Sequence, residues 1–199
     1  IDFHRKNKAK ATMILCRMEN PLSYGVVITQ EDGRITRFLE KPTWGEVFSD
    51  TVNTGIYILE PEVLEKIPLK QEFDFSQDLF PLMLGEKENL YGYITTDYWR
   101  DVGNLSEYSK AHQDILEQKV KIEIEGNLLK RKDASIWIGK NVQVGEDMEF
   151  EGVVILGNDS KIGSKSKISN SVIGEGVHCG ERVDINRSVI WKDCFIGNG

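Results

Sequence analysis

The sequence predicts an α/β domain followed by a left-handed parallel β-helix of hexapeptide repeats. Short apolar runs alternate with helix-like segments in the first part of the chain, a pattern typical of α/β domains. From Ile138 onward, aliphatic or aromatic residues recur every six positions, and glycine directly follows several of them. The rhythm changes in the polar run 130–133. We therefore place the domain boundary after Arg131, which gives domains of residues 1–131 and 132–199.

Turn residues, caps and apolar runs predict the elements of the first domain. Gly33 supplies the positive φ of a hairpin turn, and the run 55–59 is so apolar that we expect a strand covered on both faces. Pro61, Ser76 and Asn104 are expected to begin helices, the first by its fixed φ and the others by capping. A short charged helix is expected from Asp2. These elements predict a mostly parallel sheet with strands at 12–16, 25–29, 35–39, 55–59 and 90–95.

The anchors of the β-helix follow a six-residue step that is interrupted by two five-residue steps. Three flat faces of six residues form one coil, so each anchor should stack on its counterpart in the next coil. About three and a half coils are expected. The anchors are Ile138, Val144, Phe150, Leu156, Ile162, Ile168, Ile173, Cys179, Ile185, Ile190 and Ile196.

Composition restricts the classes of function. The net charge of −7 argues against nucleic acid as a partner, since it repels phosphate backbones. The three cysteines are widely spaced and odd in number, which favours a reducing compartment over a disulfide framework. No apolar run approaches the length of a membrane span, so we expect a cytoplasmic protein without a membrane partner. Ile1 is not a methionine and the repeats are unfinished at Gly199, so we expect the protein to continue at both ends.

Several polar residues lie at predicted strand ends, where ligands bind in open α/β sheets. Glu40 and Lys41 close one strand, Asn53 opens another, and Asp101 precedes the third helix. Each has a structural alternative. Glu40 and Lys41 fit a solvated strand end before a proline turn, Asn53 fits a turn, Asp101 fits a helix cap, and Gly25 fits a relaxed strand position.

The order of these motifs carries more information than any one of them. The sequence resembles the sugar nucleotidyltransferase family, and it is most similar to the mannose-1-phosphate guanylyltransferases that carry a β-helix. The resemblance covers essentially the whole chain and implies that the first domain is part of a Rossmann-like nucleotidyltransferase fold. It rests on five segments in sequence: Tyr24-Gly25-Val26-Val27, Arg37-Phe38-Leu39-Glu40-Lys41-Pro42, Asn53-Thr54-Gly55-Ile56-Tyr57-Ile58, Phe73-Asp74-Phe75-Ser76-Gln77-Asp78-Leu79-Phe80-Pro81 and Trp99-Arg100-Asp101-Val102-Gly103.

The resemblance implies a sugar-binding set. Glu40 is expected to accept hydrogen bonds from sugar hydroxyls, because a carboxylate takes two donors at once. Asn53 and the backbone around Gly25 are expected to orient the sugar, with Tyr24 and Thr54 also in the substrate-binding set. Glycine suits this position because it lets a ring approach the main chain.

The resemblance also implies two catalytic residues. Lys41 is expected to neutralise the phosphate of a sugar 1-phosphate, and Asp101 is expected to be one of two carboxylates that hold Mg²⁺. The implied reaction joins the sugar 1-phosphate to a nucleoside triphosphate and releases pyrophosphate. The family's glycine-rich nucleotide loop and first metal-binding aspartate have no match here. We expect them upstream of Ile1, and we expect the chain to be inactive alone.

Other interpretations stay open on the sequence alone. They are a non-catalytic homologue that senses a nucleotide sugar, and a glucose-1-phosphate uridylyl-, thymidylyl- or adenylyltransferase. An acyltransferase with His178 as its base is a further possibility, whereas His4 and His112 are expected to be surface or helix-face residues. Trp44, Trp137 and Trp191 are expected to pack or to form an interface. We also expect a homo-oligomer assembled through the β-helix.

Overall fold

The computed structural model describes residues 1–43, 45–47 and 49–199. Trp44, expected to pack or to form an interface, lies outside the described residues. The chain divides into two compact units, Ile1–Trp99 and Arg100–Gly199. This division falls earlier than the boundary expected after Arg131, because the residues between these points pack within the second unit. The division into evolutionary domains at Arg131 stays a prediction.

The first unit contains a sheet of five strands, β1 (Ala11–Arg17), β2 (Gly25–Thr29), β3 (Ile35–Glu40), β4 (Thr51–Leu59) and β5 (Leu90–Ile94). The strands lie in the order β3-β2-β4-β1-β5. Helix α1 (Asp2–Lys6) precedes the sheet, and the helices that follow β4 are a 3-10 helix (Pro61–Lys66), a π-helical turn (Phe75–Leu79) and α2 (Phe80–Gly85).

The prediction of a mostly parallel sheet is wrong. Among the described strands of this first sheet, only β1 and β5 pair in parallel, whereas β1–β4, β2–β3 and β2–β4 are antiparallel. The physical reason is connection length. A parallel pair needs a crossover of a dozen or so residues, but a tight turn at Gly33 joins β2 to β3. Gly33 has the expected positive φ, of 88°.

The core of the first unit takes alternate residues of β1, namely Ala11, Met13 and Leu15, which share one face of the strand. Phe80 packs into the same cluster from α2. The expectation that the run 55–59 would be covered on both faces is wrong, because Ile56 is 53% exposed. This residue lies at a pairing irregularity in β4, so it does not follow the alternation that places Met13 and Leu15 in the core.

The second unit contains a β-solenoid of about four turns, as the six-residue step predicts for a left-handed β-helix. Its parallel pairs join equivalent anchors in successive coils, for example Val144 to Ile162, Ile162 to Cys179 and Cys179 to Ile196. Its strands are β6 (Asn127–Lys130), β7 (Ala134–Ile138), β8 (Gln143–Val144), β9 (Glu149–Leu156), β10 (Lys161–Ile162), β11 (Lys167–Ile173), β12 (His178–Cys179), β13 (Asp184–Asn186), β14 (Val189–Ile190) and β15 (Phe195–Ile196).

Helix α3 (Leu105–Leu116) packs against β11, and β6 pairs antiparallel with β7. These contacts explain why residues 100–131 belong to the second unit. Asn104 caps α3 as predicted, since its Oδ1 accepts the Glu107 N–H at 2.9 Å. Within the part of the chain that the structure describes, no helix is both long and apolar enough to cross a bilayer.

Candidate functional site

Glu40 lies directly against the backbone of Gly25. The two residues are register partners in the β2–β3 hairpin. A Cβ added to Gly25 would lie 2.7 Å from Glu40 Oε2 and 2.7 Å from Phe38 Cζ, both too close for a real contact. Any side chain at position 25 would therefore displace the carboxylate. Glycine at this position thus leaves room for the Glu40 carboxylate and the Phe38 ring to approach the main chain.

Lys41 follows in a left-handed conformation with φ of 45°. This is unusual for a non-glycine residue, and more so before proline, which disfavours helical conformations at the preceding position. Its N–H donates to the Tyr24 carbonyl at 3.1 Å, which extends the β2–β3 pairing by one bond beyond Glu40. The side chain is exposed. An exposed lysine thus follows directly after a half-buried glutamate at the end of β3.

Asn53 belongs to a polar cluster that sequence reasoning did not identify. Its Nδ2 donates to Tyr57 Oη at 2.7 Å and lies 3.5 Å from Ser76 Oγ. Its Oδ1 accepts the Gly55 N–H at 3.0 Å, so Asn53 also makes the turn-type contact of its structural alternative. The amide is thereby held in one orientation. Tyr57 and Ser76 both lie within the motifs of the family resemblance, but sequence reasoning assigned neither of them a role in substrate binding.

Carboxylates lie near this cluster. Burial raises the pKa of Tyr57, and the negative charges of Glu40 and Asp74 raise it further, while hydrogen bonds with Asn53 and Ser76 act in the opposite direction. Glu40 and Tyr57 are therefore close enough to interact electrostatically. This links the Gly25–Glu40 contact to the Asn53 cluster within one region of the first unit.

Ser76 is not the helix cap that the sequence predicts. Asp74 caps the π-helical turn, since its Oδ1 accepts the N–H groups of Ser76 at 2.7 Å and Gln77 at 2.8 Å. An Asp two residues earlier competes successfully because a carboxylate accepts two backbone donors at once. The Ser76 hydroxyl is consequently left to face Asn53 and Tyr57.

Tyr24 and Thr54 have structural contacts of their own. Tyr24 packs edge-on against Trp99, with ring centroids 5.7 Å apart. The Thr54 hydroxyl is buried and donates to the Ile14 carbonyl at 2.8 Å, opposite the pairing irregularity of β1 and β4. A part for either residue in substrate binding stays a prediction.

Asp101 lies in the second unit, whereas the other candidate residues lie in the first. Its side chain is exposed, and no ion pair among the described residues engages its carboxylate. The described part of the chain contains no group of three or more His, Cys, Asp or Glu side chains placed to hold a metal. A single free carboxylate nevertheless fits Mg²⁺, which proteins bind through one or two carboxylates together with substrate phosphates.

The histidines do not form a site. His4 is buried, with Nδ1 2.8 Å from Thr12 Oγ1 and Nε2 3.1 Å from Glu60 Oε1. It lies on a face of α1, which agrees with the helix-face expectation, but it is not a surface residue. A polar partner on each ring nitrogen makes this burial tolerable. His112 lies on α3 with Nδ1 2.9 Å from the Tyr108 carbonyl, and His178 is exposed on β12. Among the described residues, no side chain forms a hydrogen bond or an ion pair with the His178 ring, so the structure gives no support to a role for His178 as an acyltransferase base.

Comparison with known proteins identifies the family. Residues 1–118, more than half of the chain, match the model of the nucleotidyl transferase family. The chain belongs to that family. The matched span includes every candidate residue described above in the first unit, and also Asp101.

The relatives carry different names. A UTP–glucose-1-phosphate uridylyltransferase of Synechocystis is 34% identical over all of this chain and 52% of its own length. A mannose-1-phosphate guanylyltransferase of Mycobacterium tuberculosis is 29% identical over 89% of this chain and 48% of its own. A glucose-1-phosphate adenylyltransferase of Acetivibrio thermocellus is 28% identical over 99% and 47%. The chain thus spans about half the length of these relatives. Their names give three different bases and two different sugars, glucose and mannose.

Proposed function

We propose that the protein to which this chain belongs is a sugar-1-phosphate nucleotidyltransferase, with mannose 1-phosphate and GTP as substrates and GDP-mannose and pyrophosphate as products. The observation that carries this proposal is the packing of Glu40 against Gly25, together with the Asn53–Tyr57–Ser76 cluster, whose Tyr57 hydroxyl feels the charge of Glu40. The carboxylate, the amide and the two hydroxyls supply both acceptors and donors. Polyhydroxylated ligands such as sugars require that combination.

In the proposed reaction, a phosphate oxygen of the sugar 1-phosphate attacks the α-phosphorus of the triphosphate. The bond from that phosphorus to the β-phosphate oxygen breaks, and the electron pair leaves with pyrophosphate. No covalent intermediate on the protein is needed, so rate depends on alignment and on neutralising the charge of two anions. Glu40 and Asn53 hold the sugar, and Lys41 neutralises its phosphate.

Asp101 supplies a carboxylate for Mg²⁺ in this proposal, and the metal would neutralise phosphate charge. One carboxylate does not complete a coordination sphere. The remaining ligands would be substrate phosphate oxygens and water molecules, since Mg²⁺ keeps several waters in protein sites. This assignment rests on the exposed and unpaired carboxylate of Asp101 and on its position in the matched family span.

Glucose 1-phosphate with UTP is a second candidate pair. The uridylyltransferase relative has a higher identity than the guanylyltransferase relative, 34% against 29%. Pyrophosphate release by the full-length protein, measured with each sugar 1-phosphate and each nucleoside triphosphate in turn, separates the two. We expect turnover with mannose 1-phosphate and GTP to exceed turnover with every other pair by about ten-fold or more. A ten-fold difference in rate corresponds to a difference of about 1.4 kcal/mol in activation free energy.

Substitutions at Lys41 and Glu40 test the division of labour at the sugar site. In the full-length protein, Lys41→Gly should weaken sugar 1-phosphate binding by about 1.5–3 kcal/mol and leave free sugar binding unchanged, because only the phosphate pairs with the ammonium. Glycine removes the strain of the left-handed backbone, so lost affinity does not reflect lost stability. Glu40→Ala should weaken both ligands. Calorimetry that returned equal penalties for both variants on both ligands would contradict the assignment.

A further inference from the structure

The segment 101–103 carries the carboxylate assigned above to Mg²⁺, and Arg100 and Asn104 on either side of it are both fastened to Glu107 of α3. On one side, Arg100 Nη1 donates to Glu107 Oε2 at 2.5 Å. On the other, Asn104 Oδ1 accepts the Glu107 N–H at 2.9 Å. Asp101 and its two successors are exposed between these attachments. The segment is therefore short, open to solvent and restrained at both ends.

The Arg100 guanidinium also reaches a second carboxylate on the same helix. Its Nη2 lies 2.8 Å and its Nε 3.1 Å from Asp114 Oδ2. Glu107 and Asp114 are two helical turns apart and so share one face of α3. A planar guanidinium with several donors in a fixed geometry can bridge the two carboxylates, whereas an ammonium is a single point charge.

The burial of Asp114 indicates that this arrangement is specific. The Asp114 side chain is only 8% exposed, and a carboxylate so placed requires cationic partners. Among the described residues, Arg100 is one such partner and Lys119 is another, with Lys119 Nζ at 3.1 Å from the other oxygen of Asp114. Partners of this kind at a buried carboxylate add little net stability, since desolvation offsets the attraction. What Arg100 adds, and Lys119 does not, is a connection to the backbone next to Asp101.

We propose that Arg100 is a positioning residue for Asp101. By bridging Glu107 and Asp114, Arg100 restrains the backbone directly before Asp101. The Asp101 carboxylate is therefore already ordered when a divalent cation binds, and binding costs less conformational entropy. This inference rests on the proposed function, which makes Asp101 a metal ligand. Groups that orient a metal ligand affect metal affinity strongly although they do not touch the ion.

Binding of Mn²⁺ alone to the full-length protein tests this proposal, with the free Mn²⁺ signal followed by electron paramagnetic resonance. Arg100→Ala should raise the Mn²⁺ dissociation constant by about 10–100-fold. Arg100→Lys, a milder change if the alanine variant folds poorly, should also raise it by about ten-fold, because lysine cannot bridge both carboxylates. Lys119→Ala is the matched control. It removes the other partner of Asp114 and should change the constant by less than about two-fold.

The variants also separate failure of this inference from failure of the proposed function. Asp101→Asn, measured in parallel, should abolish most of the Mn²⁺ binding. Asp101→Asn could abolish Mn²⁺ binding while Arg100→Ala and Arg100→Lys keep the same Mn²⁺ dissociation constant as Lys119→Ala. Arg100 would then contribute only to stability, and the inference would be overturned. If Asp101→Asn retains the affinity of the unmodified protein, the assignment of Asp101 to the metal is itself wrong, and the role of Arg100 is overturned with it.

Discussion

At the scale of single residues, the absence of a side chain at Gly25 determines where the Glu40 carboxylate can lie. The Glu40 carboxylate packs against the Cα of Gly25, in the space that a Cβ at position 25 would occupy. A small substitution at position 25 should therefore act through Glu40, even though residue 25 has no polar side chain of its own.

Gly25→Ala should weaken sugar 1-phosphate binding by displacing the Glu40 carboxylate. The new Cβ would meet Glu40 Oε2 and Phe38 Cζ at 2.7 Å, and overpacking of this kind costs about 1–3 kcal/mol in stability. Gly85→Ala serves as the control, because a Cβ there has nothing within 4 Å. Calorimetry and thermal unfolding on the full-length protein measure both effects. Equal sugar 1-phosphate affinity in the two variants would show that Glu40 does not depend on Gly25.

Tyr57 should introduce a pH dependence at the alkaline end. Burial is the main cause that raises its folded-state pKa above the ordinary value of 10.0. The unfolded chain therefore releases the proton first as pH rises, so the contribution of Tyr57 to stability is complete below about pH 10 and is lost above it. Between about pH 9 and pH 11, urea unfolding of Tyr57→Phe should show a smaller decline in the free energy of unfolding than the unmodified protein. Parallel declines would mean that Tyr57 is not buried as described.

At the scale of elements, the π-helical turn and α2 depend on Asp74 for their start. Asp74→Ala should lower the free energy of unfolding by about 0.5–2 kcal/mol, because two backbone N–H groups lose their acceptor. Ser76→Ala should have a smaller effect on stability, since the Ser76 hydroxyl is not the cap. Chemical denaturation distinguishes them. A larger loss for Ser76→Ala would restore the assignment that the sequence alone suggests.

The β-helix follows its sequence pattern more closely than the α/β unit does. Ile162, Ile168 and Ile173 are buried as the repeat requires. Val144, which pairs with Ile162 at the same repeat position in the first coil, is 41% exposed. The exposed member belongs to β8, which is the outer strand of its sheet among the described strands. Position within the stack, and not residue type, decides how far an anchor is buried.

At the scale of the whole molecule, each of the two units has its own apolar core. We propose that the β-helix also contributes to a homo-oligomer. On its surface Trp191 is 58% exposed and packs edge-on against Tyr108, with centroids 6.0 Å apart. Trp137, the other expected interface residue, is half-buried. An exposed tryptophan beside a second aromatic side chain is typical of interface centres.

Trp191→Ser should therefore reduce the subunit number of the full-length protein, as measured by light scattering. Leu69→Ser is the control, because Leu69 is 90% exposed but belongs to the first unit. Point substitution is preferable to truncation after Arg131, which would leave α3 without the β11 surface on which it packs. An unchanged subunit number in Trp191→Ser would remove Trp191 from the interface.

The sequence by itself determined the features that depend on local or periodic patterns. The six-residue step determined the β-helix because every coil repeats the same steric requirement, and Gly33 and Asn104 determined a turn and a cap because each acts on its immediate neighbours. Tertiary structure alone decided the pairing directions of the first sheet, the choice of Asp74 over Ser76 as cap, the burial of His4 and the grouping of Tyr57 with Asn53. It also decided the bridge from Arg100 to Glu107 and Asp114. These features depend on which distant groups meet after folding, and spacing along the chain does not encode that.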